Sequence, residues 1–239
     1  MIVIIMRDYL IRLAIKHEGN YSKIRKALIN KEEVDENIEL QQAITIFDED
    51  YPNGLLNLKK PPYVLFYDGN RELLNKRIVA VVGSRITTSY GEMCAASIVR
   101  TLSGFTIISG MARGIDSIAH KNAESTIGVL GNGLDVVYPK DNAKLYEKMK
   151  KDQLLITEYP KGVKSCKHHF PFRNRIIAAL SEAVIVPQAE IRSGSMITVR
   201  YALELGKEIY TVPYRLTDVE GAGCNKLIQL GAYVILNQI

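Results

Sequence analysis

Six short runs dense in valine and isoleucine, at 78–82, 106–109, 126–130, 154–157, 183–186 and 208–212, constrain this chain more than any other feature. A strand with one face in water alternates apolar and polar residues. A strand that is apolar along its whole length is buried on both faces, as in a parallel sheet covered by helices on either side. Helical patterns separate the runs, at 90–102, 115–123, 173–180 and 195–205. The order predicts an α/β protein with a doubly wound, mostly parallel sheet of extended Rossmann-like type.

Ahead of the runs, Leu10, Leu13 and Ala14, then Ile24, Ala27 and Leu28, recur at helical spacing on either side of a break at Gly19-Asn20. These residues predict a small helical hairpin, an appendage over residues 1–42, with the Rossmann-like domain over 43–239. Tyr51-Pro52-Asn53-Gly54 and Lys60-Pro61-Pro62-Tyr63 mark turns, and the short run 64–67 is expected to be an edge strand.

A composition of 47% hydrophobic and 24% charged residues over 239 residues is that of a globular protein. The apolar opening run, 1–6, is far shorter than a membrane span, so the expectation is a soluble, cytoplasmic protein with no membrane partner. Cys94, Cys166 and Cys224 form no CxxC pair and suggest neither a disulfide framework nor a zinc site. Residues 1–75 hold 10 Lys/Arg against 12 Asp/Glu, which leaves 21 against 14 for residues 76–239. The basic excess belongs to the second part, and 161–175 carries Lys161, Lys164, Lys167, Arg173 and Arg175 with no acid. Such a segment suits a polyanionic partner, although a charge run is more often a solvated face.

Ligands of doubly wound sheets bind beyond the carboxyl ends of the strands, so the loops there carry the functional weight. Gly83-Ser84-Arg85 follows the first run; it offers a close backbone approach, a helix end and a fork-shaped phosphate donor, or else a plain strand-to-helix turn. Ser109-Gly110-Met111-Ala112-Arg113-Gly114 follows the second, with Asp116 read as an organiser of the loop. Ser193-Gly194-Ser195 makes a third. Three such loops at one sheet edge form a coherent anion site. Gly131-Asn132-Gly133 lacks the third glycine of a dinucleotide fingerprint, and no GxxxxGK[ST] is present, so no nucleotide cofactor is expected.

The most specific string is 167–178, KHHFPFRNRIIA. Pro171 is expected to stop the helix from extending backwards, which would put Arg173 and Arg175 in its first turn, where cations oppose the helix dipole. Phe170, among Lys167, His168 and Arg173, could stack a base or plug the loop. His168 and His169 are adjacent and so diverge, with no third ligand apparent; no metal is expected. Ser84, Ser109 and Ser195 lack a motif-level histidine partner, so no catalytic residue is assigned.

Together the strings VAVVGSR (79–85), SGMARGID (109–116), GNGLDVVYPKDN (131–142), TEYP (157–160), FPFRNRIIAALS (170–181), SGSMIT (193–198) and GCNKLIQLGA (223–232) resemble the DprA/Smf family closely. The resemblance spans about 43–234 and implies a non-enzymatic homodimer that binds single-stranded DNA and helps load RecA recombinase in natural transformation. It places the pocket at Gly83, Ser84 and Arg85, facing Lys167 and Phe170, with Arg113, Arg173 and Arg175 as additions; Ser109, Gly110, Asn174, Ser193, Gly194 and Ser195 complete the candidate contacts. It also implies that the winged-helix domain found in longer members is absent. One departure is Val186-Pro187-Gln188-Ala189, where the family usually has an acidic residue. The rival reading is a phosphoribohydrolase-like nucleotide enzyme on the same fold, but SGSMIT stands where those enzymes carry PGGxGT.

Overall fold

In the computed structural model, which describes residues 2–236, the apolar runs become the middle of one nine-stranded sheet. The expectations that reach Met1 and residues 237–239 lie outside the described residues. The strands are β1 (Ala43–Thr45), β2 (Val64–Gly69), β3 (Ile78–Val81), β4 (Thr106–Ser109), β5 (Ser125–Val129), β6 (Leu154–Thr157), β7 (Ala183–Val186), β8 (Glu208–Thr211) and β9 (Tyr233–Val234). Their spatial order is β1-β2-β6-β5-β4-β3-β7-β8-β9. All pairings from β6 to β9 are parallel, while β1–β2 and β2–β6 are antiparallel. The doubly wound, mostly parallel sheet is therefore present. The run expected as an edge strand is not an edge: β2 lies between β6 and a three-residue strand, β1, too short to be recognised by pattern.

The helices are α1 (Ile2–Lys16), α2 (Tyr21–Ile29), α3 (Asn53–Leu56), α4 (Ser89–Thr101), α5 (Ile115–Asn122), α6 (Ala143–Asp152), α7 (His169–Leu180), α8 (Ser195–Glu204) and α9 (Ala222–Gln229). Residues of α7, α8 and α9, such as Ile176, Val199 and Leu227, cover one face of the sheet together with Ala80 and Ile108. On the opposite face α4 and α5 set Ala95, Ile98, Ile115 and Ala119 against Val79, Val81 and Ile107. Burial of β3, β4 and β7 from both sides explains their unbroken apolar sequence.

The N-terminal hairpin joins this body. Leu10, Ile11 and Ala14 of α1 and Ile24 of α2 share a core with Val64, Phe66, Tyr146 and Met149. Gly19, at φ +71°, turns the chain between the helices; a Cβ there would lie 2.3 Å from the Glu158 carbonyl oxygen, so only glycine lets the turn seat on the end of β6.

The sheet has one topological switch point. From β3 the chain winds through β4 and β5 to β6, then returns to add β7 and β8 on the other side of β3. Loops leaving β3 and β7 therefore diverge and open a crevice between them.

Candidate nucleic-acid interface

That crevice is a cavity of about 600 Å³, lined from the β3 side by Gly83, Ser84 and Arg85 and from the β7 side by Glu190, Ser193, Gly194 and Ser195. Its third wall is the start of α7 with the loop before it, through Lys167, Phe170, Arg173 and Asn174. Ten of the fourteen residues singled out from sequence thus converge on one cavity, among them all five that the family resemblance gives as the pocket. The Arg85 guanidinium stands 5.6 Å from the centre of the Phe170 ring, and Tyr138 lies 5.4 Å from the same ring on another side of the opening. Cation and ring are therefore adjacent, as phosphate and base are along a nucleic acid.

The other four residues do not line the crevice. Ser109 is buried and gives its hydroxyl to the Val81 carbonyl at 2.6 Å. Gly110 is pressed against Arg173; a Cβ there would sit 2.0 Å from a guanidinium nitrogen, which explains the glycine without a phosphate. Arg113 is exposed and ion-paired with Asp141. Arg175 is 3% exposed, donates twice to Glu158 at 2.6 Å, and stacks on Phe172.

Arg173 lines the crevice only from beneath, being 4% exposed, and donates to the Val129 and Gly110 carbonyls at 2.7 Å each. Both arginines of the FPFRNR string are thus structural, and the reason lies in the helix start. α7 begins at His169, two residues before Pro171, so the proline occupies the first turn, where its missing N–H has no partner to lose. Arg173 and Arg175 consequently fall in the second turn and point inward, and the expected cost against the helix dipole does not arise.

Asp116 has the loop-organising role expected of it. Its carboxylate accepts from the Gly110 and Ala112 N–H groups at 3.2 and 3.3 Å, while Arg173 grips the same loop by its carbonyl. Burial pushes the Asp116 carboxyl above the usual range, opposed by the nearby Arg173 charge. Burial likewise lowers the Arg173 pKa, opposed by Asp116, but a guanidinium stays charged. His169 stacks on Tyr159 at 4.0 Å and donates Nδ1–H to the Gly131 carbonyl; burial holds its pKa below the ordinary value. Its orientation is spent on the fold. Among the described residues no three His, Cys, Asp or Glu converge as metal ligands.

Two contributors escaped sequence reasoning. Tyr138, which follows Gly131-Asn132-Gly133, lines the crevice although no cation stands beside it in the sequence until Lys140. Gln188 is the family departure: fully buried, it accepts the Thr88 N–H at 3.0 Å and donates to the Ile86 carbonyl at 3.3 Å, bracing the loop that presents Arg85. A carboxylate could accept the first bond but could not donate the second.

Comparison with known proteins gives the family and the fold. The family described as DNA recombination-mediator protein A matches residues 42–239. DNA processing protein DprA of Streptococcus pneumoniae is 42% identical over 198 residues, covering 81% of this chain and 70% of that one. DprA of Bacillus subtilis is 39% identical over 240 residues, covering 97% and 79%. The crystal structure of the S. pneumoniae protein superposes with a TM-score of 0.80, at 39% identity over 90% of this chain and 77% of that one. DNA processing protein A of Helicobacter pylori, described for its single-stranded DNA binding mode, superposes with a TM-score of 0.77, at 37% identity over 82% of this chain and 92% of that one.

Proposed function

The chain belongs to the DNA recombination-mediator protein A family, and from that membership we propose that it binds single-stranded DNA in the crevice at the ends of β3 and β7. The observation that carries the proposal is the convergence of Arg85, Lys167 and Phe170 on one cavity from segments far apart in the chain. Arg85 and Lys167 take backbone phosphates, Phe170 with Tyr138 receives a base, and the Ser84 and Ser193–Ser195 hydroxyls and amides complete the cradle. The role is binding rather than catalysis: Ser109 is tied to a carbonyl, and Ser193 and Ser195 bond one another at 2.7 Å instead of a base. In keeping with the description of the family as a recombination mediator, the protein hands the strand to RecA during natural transformation, acting as a homodimer in the cytoplasm.

Anisotropy titration of a labelled oligo-dT tests the reading. If about four phosphates are neutralised, affinity falls with salt at a log–log slope near −3. An Arg85→Ala/Lys167→Ala double variant should bind more weakly and with a shallower slope, whereas Phe170→Ala should cost about 1–3 kcal/mol and leave the slope unchanged. Wild-type affinity in the double variant would remove the crevice from the account. Base release from nucleoside monophosphates would restore the enzymatic alternative.

A further inference from the structure

A second cavity of about 600 Å³ lies on the far side of the wall formed by residues 166–172, between that wall and the turn of the N-terminal hairpin. We propose that it takes the next stretch of the same DNA strand, so that the strand crosses the wall with phosphate contacts on both sides. The proposal rests on the single-strand reading of the crevice.

The wall serves both cavities with different residues. Lys167, Phe170 and Asn174 face the crevice, while Cys166, His168 and Phe172 face the second cavity. A strand leaving the crevice over this ridge meets Lys164, then Lys60 and Lys23. These three ammonium groups have no carboxylate partner among the described residues. Glu32, just after the hairpin, is already held by Lys16 at 2.8 Å and His17 at 3.1 Å. Glu18 is the one carboxylate among the lining residues. Like charges gathered on a concave surface repel one another and concentrate anions.

A solvated basic face would show the charges alone. Here they are interleaved with rings: Lys60 stands 6.0 Å from the centre of Tyr21, and Phe172 meets Tyr21 edge-on at 6.4 Å. Alternating cations and aromatic edges suit a polynucleotide better than an isolated phosphate, because both parts of the nucleotide find a partner. The cavity exists because the Gly19 turn seats on the end of β6 and brings Lys23 opposite Lys164.

The test compares a short oligonucleotide, dT4, with dT16, by anisotropy, in wild type and Lys23→Ala/Lys164→Ala. Both lysines are exposed, so the variant should fold. The expected result is unchanged dT4 affinity, about tenfold weaker dT16 binding, and a dT16 salt slope shallower by about 1.4, the share of two phosphates. Wild-type dT16 affinity and slope in this variant overturn the proposal. An Arg85→Ala/Lys167→Ala variant tested alongside separates the two readings, because unaltered binding of both lengths there defeats the crevice itself. Wild-type protein supplies an independent readout: Cys166 is exposed in the second cavity, while Cys94 and Cys224 are buried. Saturating dT16 should slow maleimide labelling of Cys166 and dT4 should not; labelling unslowed by dT16 overturns the proposal.

Discussion

Behind the crevice, His120 is 1% exposed and its protonation is set by its neighbours. The Thr126 hydroxyl gives its proton to the Ile107 carbonyl at 2.8 Å, so His120 must donate Nδ1–H to that oxygen at 2.6 Å. Its Nε2 is then an acceptor with no partner among the described residues. Burial, with the Arg173 charge adding to it, pushes the ring down to about 3, and it is neutral at pH 7. In the unfolded chain the same ring titrates near its ordinary value, about 6.5. Below that pH the unfolded state binds a proton that the folded state refuses, so stability present above 6.5 is lost as pH falls toward 3. Between pH 6.5 and pH 5 the loss from this residue is about 2 kcal/mol. Urea unfolding at pH 7 and pH 5 should show a larger drop in wild type than in His120→Gln. Equal drops would mean that another group is responsible.

At the scale of elements, α7 carries the clearest contrast between what is exposed for binding and what is buried for the fold. Arg175 and Glu158 are 3% and 5% exposed, and removing one member leaves the other charge buried without its counter-ion. Arg175→Met should lower the unfolding free energy by about 3–5 kcal/mol, measured by urea titration, while the folded fraction keeps its oligo-dT affinity. Arg85→Ala should do the reverse. Weakened DNA binding by fully folded Arg175→Met would return that residue to the interface. The sequence does not distinguish the two arginines from binding residues, since charge and position in a basic string are the same in both cases. What separates them is the start of α7, which lies at His169, stacked on Tyr159, two residues before Pro171. Strands β3 to β7 were legible because burial on both faces writes itself into nearly every residue, whereas β8, with Glu208 exposed and Tyr210 half-buried, shows only a short apolar run. α6 was not, because Leu145, Tyr146 and Met149 are its only buried positions amid six charged ones and lysine dominates the pattern. Gln188 and Tyr138 join the site from 50 to 100 residues away, a proximity that no local pattern records.

For the molecule as a whole, the question is whether the hairpin and the sheet unfold together. Sequence alone suggests an appendage, since its two helical patterns precede the valine- and isoleucine-rich runs and are set off from them by an acidic stretch and turns. Yet Leu10 and Ile11 are fully buried, in the same cluster as Phe66 of β2 and Tyr146 of α6, and Arg7 donates to the Ala43 carbonyl at 2.9 Å. Without α1 and α2 those faces of β2 and α6 would meet water, and each large apolar side chain so exposed costs about 1.5–3 kcal/mol. A unit whose removal strips that much cover from its neighbour does not melt alone. Urea unfolding followed by far-ultraviolet circular dichroism should therefore show one transition, and Leu10→Ala should shift it whole, by about 2–5 kcal/mol. A second, earlier transition that alone responds to Leu10→Ala would mean that the hairpin is independent. The second cavity would then have a wall that opens while the sheet stays folded, and the shift in dT16 binding would track that earlier transition instead of the main one.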